Sequence, residues 1–367
     1  MPSLAALAVT LSLGVVHVST GSTTVAAAPN APPVAPPVAP PGAGAAAPGP
    51  AATTSAPKVV KPVPARIEVI ELGDEPRRSL RAGVPVGQVE RIKLSIEPLV
   101  NRFIDGDALV LEKPVPLEFV LDLRVREARA DGGRTVEAVV REASHLIDPA
   151  HDAAQLAQID GALAVLRGGG IEVDLDQRGA AVEVRVPPEL WPDDARGAVV
   201  QRVVDGIVRL FTPTPDDQLG VGGRWRVLFD DPDAPIAVRE MLVMRVVSLT
   251  RAPDTVPGGA STATIERYAL WTPLRSSQRV RDGVLPGGED AVLTSLSGRG
   301  GGSMTLATDR IAPRQLDDQL YVGFFVDGRD ARDGGRRQLH EQRMIRTSAS
   351  AAPPASAPVA PAPAARP

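Results

Sequence analysis

The sequence predicts a mostly β protein of the α+β class, built on a curved antiparallel sheet or half-barrel with two helices, one of them packed in the concave face. Apolar and polar residues alternate in about a dozen short segments between residues 65 and 347. A period of two is typical of strands that bury one face. Glycine-rich turns separate the segments and only two stretches have a helical period, which favours hairpins and meanders over a parallel sheet with crossover helices.

The clearest strand is LEFVLDLRVRE, residues 117–127. Its apolar side chains recur at every second position, at Leu117, Phe119, Leu121, Leu123 and Val125. The turn ADGG, residues 130–133, then leads into a second alternating segment around residues 136–140. A strand, a glycine turn and a second strand predict an antiparallel hairpin.

Other segments follow the same alternation. Two of them flank the turn DQRG, with apolar positions at Ile171, Val173, Leu175, Val182, Val184 and Val186. An earlier one has its apolar positions at Ile92, Leu94 and Ile96, and less regular ones lie at residues 238–249, 262–271, 291–297, 303–308 and 320–326. Each is expected to be a strand with one buried face.

The first predicted helix begins near Asp148. This residue has the side chain of an N-cap, and Pro149 is tolerated at the first helical position. One face of the helix carries Leu156, Ile159, Leu163 and Leu166. Gly168 is expected to end it.

The second predicted helix spans about residues 192–211, with Asp193 and Asp194 in its first turn. Its polar strip is narrow and consists of Gln201, Asp205 and Arg209. Apolar residues cover most of the remaining circumference, so the helix needs cover on more than one side. The hollow of a curved sheet would provide that cover.

Two outcomes are open for this helix: the hollow is filled by side chains, or one side of the helix borders a cavity. In the second case the expected lining residues are Val200, Val204, Val208, Phe211 and Trp225. An apolar pocket with few polar groups suits a lipid-like ligand.

The segment LGVGGRWRV, residues 219–227, has three glycines in four positions. Phosphate-binding loops place such glycines between a strand and a helix, so that free N–H groups and the helix dipole point at the anion. Here the glycines follow a helix and precede the alternating RWRVLF. The pattern therefore predicts a close approach or bulge that starts the strand carrying Trp225, and no nucleotide site.

The ends of the chain differ from its middle. Residues 1–57 contain no Asp, Glu, Lys or Arg, and an apolar run at residues 4–18 leads into small residues. This pattern predicts a signal peptide at residues 1–27, with a disordered Ala-rich leader as the alternative. Residues 28–64 and 348–367 are rich in proline and alanine, which predicts a disordered linker and tail around a single domain at residues 65–347.

The amino-acid composition limits the cellular locations and the kinds of chemical site that the sequence can support. The chain has no cysteine, which excludes disulfides, thiolate metal sites and a lipid-attachment cysteine. We therefore expect an exported protein of the periplasm or extracellular space that begins at Ala28 and has no lipid anchor. A net charge of -4 gives no basic field for nucleic acid.

Three stretches carry a resemblance to known proteins: EPRRSLRAGVPVGQVERIKLSIE, DQRGAAVEVRVPPEL before the second helix, and LGVGGRWRV after it. Together they resemble a family of uncharacterised secreted or lipidated bacterial β-rich proteins of unknown function. The likeness covers residues 67–347 and implies no catalytic residues. Members often have a lipid-attachment cysteine, and this chain lacks one.

The best enzyme-like cluster is SHLIDPAHD, where His145, Asp148, His151 and Asp152 lie close together. Histidine and carboxylate groups can bind a metal, so a metal-dependent hydrolase using His145 and His151 is the alternative function. The start of a solvated helix explains the same residues, and it leaves both histidines without an obligatory partner.

DGRDARDGG, residues 327–335, lacks the ligand spacing of a calcium loop and predicts a charged hairpin tip.

The leading expectation is a non-enzymatic cell-envelope or secreted protein, a structural or binding module that shelters an apolar ligand. Such a protein is expected to need no cofactor. Its partner is a lipid-like molecule or an envelope component, and its oligomeric state stays open. A carbohydrate-binding module is a third possibility, which the low aromatic content of 3% disfavours because sugars need stacking platforms.

Overall fold

A computed structural model of the chain describes residues 16–18, 56–109, 114–146, 153–191, 196–250, 261–280, 291–329 and 335–352. The described strands are β1 (Val16–Val18), β2 (Lys58–Pro62), β3 (Ala65–Glu71), β4 (Val89–Ile104), β5 (Asp107–Leu109), β6 (Leu117–Ala128), β7 (Arg134–His145), β8 (Gly170–Leu175), β9 (Ala181–Val186), β10 (Arg224–Asp231), β11 (Val238–Thr250), β12 (Thr262–Pro273), β13 (Gln278–Arg279), β14 (Val292–Ala307), β15 (Gln315–Arg329) and β16 (Arg336–Ala351). The described helices are α1 (Ala153–Leu166), α2 (Gly197–Leu210) and a 3₁₀ turn at Pro188–Leu190.

All of these strands belong to one antiparallel sheet, which does not close into a barrel. Its order is β1-β2-β9-β8-β7-β6-β4-β16-β15-β14-β12-β11-β10-β3, with β5 and β13 attached beside β4 and β14. The predicted fold class, a mostly β protein with one large antiparallel sheet and two helices, is confirmed. The sheet takes in β2 and the end of β16, which lie on either side of the predicted domain at residues 65–347.

The sheet is curled, so that its two ends lie close together. After β9, near one edge, the chain passes through α2 to β10, near the other edge, and nine strands lie between them. Ten strand spacings of about 4.8 Å would span about 48 Å on a flat sheet. Ala181 of β9 and Phe229 of β10 nevertheless line the same small cavity, so the two ends of the sheet approach each other.

The hairpins follow the alternation of the sequence. β6 pairs with β7, and its five predicted inward residues are all buried: Leu117, Phe119, Leu121, Leu123 and Val125. β8 pairs with β9 across the DQRG turn with a register shift beside Leu175. Val184 and Val186 are buried as predicted, but Val182 is 41% exposed and Ala181 is buried in its place. In that turn the Asp176 carboxylate accepts hydrogen bonds from the N–H groups of Arg178 and Ala180, both at 2.8 Å.

Helix α2 packs against the centre of the sheet. Ten of its 14 residues are buried, as the broad apolar arc predicts. At Gly206 an added Cβ would lie 2.5 Å from Ile96 Cδ1 and 3.2 Å from Leu94 Cδ2, so the helix backbone approaches β4 closely. Only glycine permits this distance without displacing Ile96.

Helix α1 covers a second part of the sheet. Ile159, Leu163 and Leu166 of its predicted apolar face are buried, and Leu156 packs against the core. Gly168 follows the helix with φ of +80°, the left-handed conformation that ends helices. The predicted N-terminal residues Asp148 and Pro149 lie outside the described residues.

The glycine cluster makes the predicted close approach and leads into β10, whose second residue is Trp225. The Gly220 N–H donates to Leu72 O at 2.8 Å, and an added Cβ at Gly220 would lie 1.6 Å from Asp74 O. This contact joins the start of β10 to the end of β3. It leaves no room for a side chain at Gly220, so glycine is needed there.

None of the described helices is long and apolar enough to cross a membrane.

Candidate functional site

Two neighbouring spaces lie at the C-terminal end of α2, on one rim of the curved sheet. The first, called here the rim cleft, has a volume of about 250 Å³ and is lined by residues 80–82, 132, 134, 175–179, 210–212, 214, 306, 307 and 310–313. The second, called here the inner cavity, has a volume of about 40 Å³. Phe211 and Thr212 line both spaces and form the partition between them.

Three turns of the sheet and the β3–β4 connection build the rim cleft around the end of α2. The turns join β6 to β7, β8 to β9 and β14 to β15. The chain after α2 is tied to the β8–β9 turn, because Thr214 N donates to Arg178 O at 2.9 Å. The cleft therefore has walls from both halves of the sheet.

One part of the cleft lining is apolar. It consists of Leu80, Leu175, Leu210, Phe211, Leu306, Ile311 and Ala312. Phe211 immediately follows α2, and its N–H donates to Val208 O at 3.1 Å. This surface can contact a short hydrocarbon chain or ring.

The other part of the lining is cationic, with Arg81, Arg134, Arg178 and Arg310. Arg178 donates to Asp216 Oδ2 from Nε at 3.1 Å and from Nη2 at 2.8 Å, and Arg81 contacts the same carboxylate. Arg134 Nη2 donates to Ala82 O at 2.6 Å. Burial lowers the pKa of Arg134, because the charged guanidinium loses hydration.

Arg310 contacts Glu90, a buried glutamate of β4, with Nε 3.4 Å from Oε2. The geometry is that of an ion pair without a hydrogen bond between these two atoms, because both lack a hydrogen-bond partner within the described structure. Glu90 Oε1 instead accepts from Ile311 N at 2.7 Å. Burial raises the pKa of Glu90, and the Ile311 N–H and Arg310 oppose that shift.

The inner cavity has a mixed lining. Val208, Phe211, Phe229 and Leu242 supply its apolar part, and Arg209, Glu240 and Arg267 its charged part. Glu240 is 4% exposed, and burial raises its pKa against the opposing effect of Arg209. A space of this size can hold about one water molecule and no extended ligand.

The predicted pocket residues have different surroundings. Val200, Val204 and Trp225 have no exposed surface and belong to the packed core. Trp225 Nε1 donates to Pro213 O at 3.3 Å. Val208 lines the inner cavity, and Phe211 lines both spaces. Of the predicted residues, Phe211 is the one in contact with the rim cleft.

His145, from the alternative metal site, ends β7 and has a partner. Its Nε2 lies 3.1 Å from Asp160 Oδ1 of α1, so it joins the helix to the sheet. The expectation that this histidine has no obligatory partner is wrong, because the pattern gave no sign that α1 folds back over β7. Asp148, His151 and Asp152 lie outside the described residues, as does most of the predicted charged tip at residues 327–335.

No sequence motif identifies the four arginines that line the rim cleft, Arg81, Arg134, Arg178 and Arg310. They come from four separate segments between residues 81 and 310, three of them connections and one the first residue of β7, and only the strand order brings these segments to one rim. Considered alone, each is an ordinary arginine of a connection or strand end. The described residues include no group of three or more His, Cys, Asp or Glu placed to bind a metal ion.

No model of a known protein family and no curated protein matches the chain significantly. The feature that offers most for a ligand is the rim cleft, because it is the larger of the two spaces at the end of α2 and combines apolar and charged walls.

Replacing Val204 by Trp tests how tightly α2 is packed. Because Val204 has no exposed surface, the larger side chain must displace its neighbours, and we expect a loss of about 1–3 kcal/mol in the free energy of unfolding. The matched control is Val182→Trp at an exposed position of β9, for which we expect a change within about 0.5 kcal/mol. Denaturant unfolding measures both, and equal stabilities would show that the hollow is not filled at Val204.

Asp205 on the polar strip of α2 makes stability depend on pH. Burial raises its pKa from 3.8 to about 6, although Gln201 Nε2 donates to its Oδ1 at 2.8 Å. Near pH 3 and below, the carboxyl group is largely protonated in both states. As the pH rises from about 3 to 6 the unfolded chain loses this proton while the folded chain retains it, so stability falls.

We therefore expect Asp205→Asn to be more stable than the parent by about 1–2 kcal/mol at pH 7 and equal to it near pH 3. Urea unfolding at the two pH values measures the difference. Asp317→Asn, at an exposed ion pair on β15, is the control and should shift stability by less than about 0.5 kcal/mol at either pH. A pH-independent effect of Asp205→Asn would contradict the raised pKa.

Proposed function

We propose that the protein is a non-enzymatic binding module that shelters the apolar part of a small ligand in the rim cleft. The observation that carries the proposal is the lining of the cleft, in which Leu80, Phe211, Leu306 and Ile311 form an apolar wall beside polar groups. Small-molecule sites combine these features: a concave apolar surface and a few polar groups that fix orientation.

The packing of α2 supports this location. The hollow of the sheet is occupied by the helix, and Val200, Val203, Val204 and Ile207 are fully buried there. The two spaces that the described residues leave beside the helix both lie where it ends. At that point Leu210 and Phe211 line the cleft, and the turns of the sheet continue the wall beyond the helix.

The proposed setting is the periplasm, the cell envelope or the extracellular space. It rests on residues 1–57, which have no charged side chain and include an apolar run followed by small residues. A binding module in this setting would hold a lipid-like molecule or an envelope component. Its ligand would be shielded from water along its apolar part, where transfer from water is favourable.

Filling the rim cleft tests the proposal. Ala82 is partly buried and lines the cleft, so Ala82→Trp should occupy the space that a ligand needs. The probe is the uncharged methyl ester of a fluorescent fatty acid, whose emission rises in apolar surroundings. We expect the parent protein to bind it and Ala82→Trp to raise the dissociation constant at least tenfold.

Ala157→Trp is the matched control, because Ala157 is exposed on α1 and outside the cleft lining. It should bind the ester as the parent does, and the melting temperatures of both variants should show that each is folded. If the parent binds no ester, or if both variants bind it equally well, the cleft does not shelter an apolar ligand.

A further inference from the structure

The cationic wall of the rim cleft goes beyond what an apolar ligand needs. Four guanidinium groups line one space of about 250 Å³. Arginine presents several N–H donors in a planar fork that matches carboxylate and phosphate oxygens. A pocket for a purely apolar molecule gains nothing from these groups, because each must lose hydration when the ligand covers it.

We propose that the ligand of the rim cleft carries an anionic group, a carboxylate or a phosphate monoester, which Arg81, Arg134 and Arg310 bind together with Thr212. This inference rests on the proposed function, in which the apolar part of the same molecule lies against Leu306 and Phe211. The ligand class is thus an anionic amphiphile with a single short chain.

The first support is a set of polar atoms that lack partners. Arg81 Nε, Arg310 Nε and Thr212 Oγ1 are buried and make no hydrogen bond within the described part of the chain. All three residues line the cleft. Buried donors without acceptors are unfavourable, and an oxygen-rich group in the cleft would satisfy them.

The second support is the balance of charge around the cleft. Asp216 is shared by Arg81 and Arg178, and Glu90 faces Arg310. Within the described residues, Arg134 has no carboxylate within 4.0 Å, and the acceptor of its Nη2 is the carbonyl of Ala82. The Asp176 carboxylate, which also lines the cleft, is occupied by the N–H groups of its own turn. An anion would therefore add a counter-charge beside Arg134.

The end of α2 acts in the opposite direction. A helix C-terminus carries partial negative charge, and Leu210 at the end of α2 lines the cleft. This repulsion is weaker than two or more charge-assisted hydrogen bonds from arginine. Anion binding thus requires several of the rim arginines together, and removing one or two of them should have a large effect.

The test compares three ligands with the same chain: octanoate, octyl phosphate and octanol. Calorimetric titration of the full chain should give dissociation constants for at least one of the two anions about tenfold or more below that of octanol. The anion that binds more tightly identifies the head group as a carboxylate or a phosphate. Inorganic phosphate alone should bind much more weakly, because it has no part that contacts the apolar wall.

The variants Arg134→Gln and Arg81→Gln assign the effect to the cleft. Each should weaken binding of the preferred anion at least fivefold and leave binding of octanol unchanged. Arg134→Lys retains the charge and should recover part of the affinity, which separates charge from folding defects. Arg346→Gln, at an exposed ion pair with Asp317, is the matched control and should bind all ligands as the parent does.

Each outcome decides one question. Octanol and the anions binding with equal affinity would overturn the anionic head group and leave the apolar binding function intact. Binding of none of the three ligands, together with no binding of the uncharged ester, would overturn both. Anion binding that both arginine variants retain would overturn the assignment to this cleft.

Discussion

The constraint on which the structure depends is that an open sheet of this length must have its concave face covered. The strand path from β1 to β3 contains 14 strands and does not close. A single helix, α2, provides the central cover, and it approaches β4 so closely that only Gly206 fits at the contact. The curvature of the sheet, the burial of the helix and the approach of β9 to β10 are consequences of one packing requirement.

The same packing also buries polar side chains of α2. Gln201, Asp205 and Arg209 lie on one strip of α2, and in the folded chain Gln201 is 5% exposed. Their surroundings include Glu240 and Arg267 on the sheet, both less than 9% exposed. Enclosing charges costs hydration, so the raised pKa values of Asp205 and Glu240 are the electrostatic result of covering the sheet with an amphipathic helix. The cover ends at Leu210, and the rim cleft begins there.

The sequence specifies the local structure more completely than the site. Alternation fixes the buried face of β6 from Leu117 to Val125, and the broad apolar arc of α2 predicts a helix inside a curved sheet. The glycines before Trp225 predict the close approach at the start of β10. These features depend on neighbours in sequence, where the period of the chain determines which side chains share a face.

The rim cleft depends instead on contacts between distant segments. Arg81 and Arg178 meet at Asp216, and Arg310 meets Glu90, across sequence separations that no local period encodes. The pairing of β4 with β16 brings these segments together, because it joins the first part of the chain to the last. Phe211 was predictable since it continues the apolar arc of α2, whereas the arginines are not recognisable until the strand order is known.

Hydrogen exchange of the full chain with and without saturating octanoate or octyl phosphate tests most directly whether the end of α2 forms the binding site. We expect slower exchange at residues 80–82, 132, 134, 175–179, 210–212, 214, 306, 307 and 310–312, which line the rim cleft. The exposed surface near Tyr268 and Tyr321 should exchange as before. Protection confined to that exposed surface, or no protection anywhere at a ligand concentration that saturates binding, would contradict a binding site at the end of α2.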